Sequence, residues 1–255
     1  TTINAGTLAV SGSGTLGNTS SLLTINNSIL DLQNSLTVGS LLMTGTSPAI
    51  TNSTGTSSLV VNTTSTLKGT VTTSGLQTYT GAVLLGGNTT LTGSGITFGS
   101  TIKSTGGSNY SLGITDSGVT TLGGAIGSAT LADKVSSLTL SSTGGISLNA
   151  GSVYSTSSQS YTGAVTLGGD TTLSGVGVVF HSAVDGAKTL TVNDSGTTQF
   201  LDKVGYTTAL TSVTTDAAGT TDLNGASVTT TGAQTYNDAV VLSANTTLTG
   251  SGITF

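Results

Sequence analysis

The chain repeats itself, and that constrains its fold more than any other feature. Residues 77–98 read QTYTGAVLLGGNTTLTGSGITF, residues 159–180 read QSYTGAVTLGGDTTLSGVGVVF, and residues 234–255 read QTYNDAVVLSANTTLTGSGITF. These anchors start 82 and then 75 residues apart. Between them, Asp116-Ser117-Gly118 matches Asp194-Ser195-Gly196, and Leu148-Asn149 matches Leu223-Asn224. Self-similarity at a long period is the mark of stacked units, each of which buries its apolar surface against its neighbours. The two spacings differ by seven residues. Loops between strands absorb such insertions at little entropic cost.

A finer rhythm runs inside each repeat. Short strand-prone runs follow one another: LTV at 190–192, TTQF at 197–200, ALTSV at 209–213, TTDL at 220–223, SVTT at 227–230, DAVVL at 238–242 and TTLT at 246–249. Gly, Asn, Asp or Ser punctuates each junction, and these residues accept the left-handed backbone of tight turns. Two or three strand–turn units make a coil of about 20 residues, which puts about four coils in a large repeat and about 12 or 13 in the chain. At the spacing of paired strands, the rod is about 60 Å long.

Thr, Val and Ile are β-branched and favour strands. Arg and Glu are absent, and no window places apolar residues with helical spacing. The expected fold is therefore all-β: a right-handed parallel β-helix, or β-solenoid, without significant helix. An array of hairpin sandwiches is the competing architecture. Residues 1–75 lack the QTY anchor and form one region, with strands expected near 7–10, 22–25, 29–32 and 36–43, and with Pro48 at a turn or edge. Residues 76–255 form the second region, a continuous solenoid.

Only 6 % of the residues are charged. Exposed Thr, Ser and Asn take over the solubilising role, since their ladders tolerate stacking where like charges would repel. Five Lys without a cluster offer no basic patch, so nucleic acid is not an expected partner. Cys is absent, which excludes disulfides and thiolate metal sites. No apolar run is long enough to insert in a membrane as a helix. The start at Thr1 and the stop at Phe255, partway through a repeat, read as a segment to which more solenoid or another subunit adds.

The run TTINAGTLAVSGSGTLG, followed by LTINNSILDL, resembles the autotransporter-associated β-strand repeat of Gram-negative autotransporter passengers. The downstream pattern TVNDSGTTQF and LTSVTTDAAGTTDLNGASVTTTGAQTYNDAVVLSANTTLTGSGITF is similar to repeats of very large haemagglutinin-like exoproteins. Both resemblances imply a right-handed parallel β-helix exported to the cell surface or the extracellular space. They carry over no ligand and no catalytic residue.

Few residues invite chemistry. His181 is the single imidazole, with Asp185 four residues on, and it reads as a coil-corner residue beside Phe180. Asp194, Asp216 and Asp238 recur every 22 residues, about one coil. Stacked carboxylates would repel unless calcium bridged them; solvated turns are the favoured alternative. Tyr79, Tyr161 and Tyr236 read as core or corner residues with hydroxyls near water, rather than as a sugar-binding stripe. Thr90-Leu91-Thr92 and Thr247-Leu248-Thr249 recur once per large repeat, and Thr78-Tyr79-Thr80 is out of step with them, which speaks against a flat ice-binding face. Asn18, Asn52, Asn62, Asn88 and Asn245 head Asn-x-Ser/Thr sequons of the kind a Thr-rich chain produces by chance.

The expected function is a non-catalytic shaft segment of a secreted or surface bacterial adhesin or exoprotein, with no cofactor. Its partners would be host, surface or neighbouring-cell components bound by parts outside the segment. The alternative is a subunit of a self-assembling extracellular fibre or sheath, joined to copies of itself end to end.

Overall fold

A computed structural model describes residues 1–255. Every strand pairing in it is parallel, and the chain winds as a β-solenoid of about 13 coils spaced roughly 20 residues apart. The one departure from strand and turn is a single 3-10 turn, Leu131–Asp133.

Each coil has three faces. Face A runs from Thr2–Ile3 through Leu22–Asn26, Ser40–Thr44, the first part of Ser65–Thr72 and of Val83–Gly93, and Ile102–Ser104. It continues by way of Ile126 to Ser152–Tyr154, Thr171–Gly175, Thr189–Asp194, Ser212–Thr215, Ala233–Tyr236 and Gly252–Thr254. Face B runs from Thr7–Val10 to Ala239–Leu242, and face C from Leu36–Val38 to Thr247–Thr249. The stack crosses the boundary between residues 1–75 and 76–255 unbroken, since Gln77 pairs with Leu59 on one side and Ile96 on the other.

Alternation along each strand decides what lies inside. In Val83–Gly93 the residues alternate between buried and outward positions, as a pleated strand requires. Parallel register then places inward residues in columns. On face B one column reads Leu30, Ile50, Val71, Leu91, Ile114, Leu140, Tyr161, Phe180, Phe200 and Leu223. The core is one contiguous cluster extending from Ile3 to Tyr236. It is narrow, and medium-sized side chains from three faces fill it.

Corners need residues without bulk. Gly69 holds φ +76 inside Ser65–Thr72, where the chain passes from face A to face B, and a Cβ there would strike the Pro48 carbonyl. The strand expected over 36–43 is two strands, Leu36–Val38 and Ser40–Thr44, because Gly39 turns the corner against the Ser20 backbone. Pro48 lies between strands, immediately before Ala49–Thr51.

The long sequence repeat and the coil are out of step. Gln77 lies on face C, Gln159 on face B and Gln234 on face A. Successive anchors are eleven strand positions apart, one short of the twelve that four three-faced coils would need. Four coils per repeat is thus corrected to three and two-thirds. Each repeat presents its equivalent residues on the next face around the shaft.

Candidate functional site

The anchor residues build a buried polar device. Tyr79, Tyr161 and Tyr236 are at most 1 % exposed. Their hydroxyls do not reach water. Each donates to the side-chain oxygen of the Gln two residues earlier: Gln77 at 2.9 Å, Gln159 at 2.8 Å and Gln234 at 3.0 Å. Burial pushes all three phenols above their ordinary pKa, and Asp238 adds to the shift at Tyr236. The Gln amide in turn donates to the next coil, Gln77 Nε2 to the Thr92 carbonyl at 2.8 Å and Gln159 Nε2 to the Ser174 carbonyl at 2.9 Å. Above each Tyr ring the following coil lays a Phe: Tyr79 on Phe98 at 5.2 Å, Tyr161 on Phe180 at 5.0 Å and Tyr236 on Phe255 at 5.5 Å. The QTY…ITF unit is thus a staple between two coils. Gln159→Leu keeps the volume but strands the Tyr161 hydroxyl and removes one of the two donors to the Ser174 carbonyl, which keeps Ser155 N–H, with an expected loss of about 1–3 kcal/mol by chemical denaturation. Adding Tyr161→Phe should restore part of it; a double variant no better than the single would refute the pairing.

The Asp-Ser-Gly motif is a second clip. Asp116 is 2 % exposed, and its carboxylate accepts N–H from Gly95 at 2.6 Å and Ile96 at 2.9 Å in the preceding coil. It also accepts from Gly118 N–H and the Thr120 hydroxyl. Asp194 repeats the pattern with Gly177, Val178, Gly196 and Thr198. Gly95 at φ +98 and Gly177 at φ +87 form the turns that aim these N–H groups at the carboxylates. The matching Asp-Ser-Gly triplets in the sequence carry no role until the coils stack. The signal was an ionisable residue recurring beside Gly in a chain with few charges.

The three aspartates spaced by 22 residues do not form a column. Val192 pairs with Thr215, and Thr215 with Tyr236. Asp216 directly follows that column, whereas Asp194 and Asp238 lie two residues past it, so Asp216 is one position out of step. Asp194 N–H donates to Asp216 Oδ1 at 2.9 Å, and Asp238 accepts from the Thr215 and Thr221 hydroxyls. No group of three His, Cys, Asp or Glu side chains converges as a metal site would require.

His181 is exposed at the end of Val178–Phe180, next to Phe180 as expected. Asp185 accepts N–H from Thr207 and Thr208 instead of meeting the imidazole. The side chains of four sequon asparagines, Asn18, Asn52, Asn62 and Asn88, are tied into the structure. Asn52 Nδ2 donates to the Leu32 carbonyl, Asn62 Nδ2 to the Thr19 carbonyl, and Asn88 Oδ1 accepts Ser111 N–H. Asn18 accepts from Ser20 and Ser21 within its own turn.

The outer faces carry what remains. Thr90-Leu91-Thr92 lies on face B, whereas Thr78-Tyr79-Thr80 and Thr247-Leu248-Thr249 lie on face C. The two sets that match in sequence, 90–92 and 247–249, therefore lie on different faces, whereas unlike segments come into step. Thr70-Val71-Thr72 pairs directly with Thr90-Leu91-Thr92. The surface depressions hold 320–520 Å³, and none joins two carboxylates or a carboxylate and the histidine.

No family model, no curated protein and no solved structure matches this chain.

Proposed function

We propose that this chain is a non-catalytic shaft segment of a secreted or surface-exposed bacterial adhesin or exoprotein, holding another part of the molecule away from the cell. One observation carries the reading: the core and the three parallel sheets continue from coil to coil along the chain. A stack of this kind resists bending and compression, because each coil hydrogen-bonds and packs to its neighbours. The staples and clips add side-chain bonds between coils to the backbone bonds that run through strands and corners alike. The resemblance to autotransporter and haemagglutinin-like repeats supplies the bacterial surface, and the partners are then host or neighbouring-cell components. Immunogold imaging of native cells tests it. Thin single rods at the cell boundary are expected; a cytoplasmic location would overturn the reading.

A further inference from the structure

Between residues 70 and 162, face B presents a two-column lattice of hydroxyls. Register brings together Thr70 and Thr72, Thr90 and Thr92, Gly113 and Thr115, Thr139 and Ser141, and Ser160 and Thr162 on five consecutive coils. Nine of these ten positions carry a hydroxyl, and none of the nine bonds within the chain. That separates them from Thr73, Thr89 and Ser142, whose hydroxyls donate to backbone carbonyls. The rows are about 4.8 Å apart and the two columns about 6.6 Å apart. No charged side chain lies among these ten positions. The lattice is bounded: one column reaches Asp31 two coils before it, and His181 and Val179 follow it.

We propose that this lattice binds the surface of ice. A ligand that engages it must repeat in two dimensions at a fixed short spacing, and must accept hydroxyls without demanding charge. Ordered water meets both conditions. The β-branched Thr side chains restrict their own rotamers, and the paired backbone holds the rows in place, so little freedom is lost on binding. Threonine methyls between the hydroxyls limit competing liquid-like hydration. A polysaccharide is the other hydroxyl-rich ligand, but it favours an exposed aromatic platform. The nearby aromatics Tyr79, Tyr161 and Phe98 are all buried. The inference is independent of the shaft reading.

Partition into slowly growing ice tests it. The full chain is expected to concentrate in the solid, with faceted crystals and thermal hysteresis. Thr115→Lys, at the centre of the lattice, should abolish incorporation, and so should Thr90→Val with Thr139→Val, which retains strand-favouring side chains. Thr121→Lys, outward on face C, should incorporate like the parent chain. Exclusion of the parent chain from ice would overturn the proposal, as would undiminished incorporation of the face B variants. Retention on crystalline cellulose or chitin together with exclusion from ice would also overturn it, in favour of a polysaccharide surface.

Discussion

Phe180→Ala should be the most damaging single truncation in the shaft. Phe180 is fully buried on face B, between Tyr161 at 5.0 Å and Phe200 at 5.3 Å, with rings within 15° of parallel. Removing it deletes the middle of a three-ring column and opens a cavity in a core only one coil thick at that level. Phe-to-Ala changes in cores lose about 3–5 kcal/mol, and the two ring contacts add about 0.5–1.5 kcal/mol each. Because stacked coils interact chiefly with nearest neighbours, the damage should be local. Hydrogen exchange should lose protection first in Gln159–Thr162, Val178–Phe180 and Thr197–Phe200. Strands near Leu30 should keep theirs. A fall in denaturation midpoint no greater than that of an exposed threonine change would refute the account, as would uniform deprotection along the rod.

Acid should loosen the coils at their clips, with Asp116 a contributor. Burial by itself raises the Asp116 pKa. The N–H groups of Gly95, Gly118 and Ile96, with the Thr120 hydroxyl, outweigh it and hold the pKa below the ordinary 3.8. The folded value is depressed, so the stabilisation is fully present above the unfolded value and is lost as pH falls through the folded one. The window therefore lies below about pH 4. Asp31, Asp133 and Asp170 are depressed too, through bonds from Ser53, Lys103 and Thr189 respectively, and act in the same direction. Asp116→Ala leaves the Gly95 and Ile96 N–H groups without an acceptor and should cost about 2–4 kcal/mol at neutral pH. Its midpoint should then fall less steeply with acid than that of the parent chain. Parallel pH profiles for the two would show that Asp116 does not clip the coils.

Much of the architecture was legible in the sequence. The strand-sized runs, the Gly, Asn and Asp junctions and the absence of helix formers all pointed to short strands and tight turns. The expected strands at 7–10, 22–25 and 29–32 match Thr7–Val10, Leu22–Asn26 and Ile29–Leu32. Local propensity and side-chain alternation act over a few residues, so a linear reading captures them. Gly39 was harder to read, because its need for smallness arises from the Ser20 backbone one coil away. The Tyr hydroxyls were expected near water because their Gln partners look like ordinary polar residues until the strand closes over them.

The sequence by itself determined a repetitive all-β stack with small apolar columns and hydroxyl-rich outer faces. Only the tertiary structure decided the direction in which each repeat points. A sequence repeat reports translation along the chain, whereas a coil adds rotation, and eleven strand positions do not divide evenly into faces of three. The matching anchors therefore lie on three different faces, and the three aspartates fail to stack. Unlike segments such as Thr70-Val71-Thr72 and Thr139-Leu140-Ser141 instead fall into one outward lattice. Backbone pairing sets that register, and pairing depends on how many residues each corner consumes, which residue identity alone does not show.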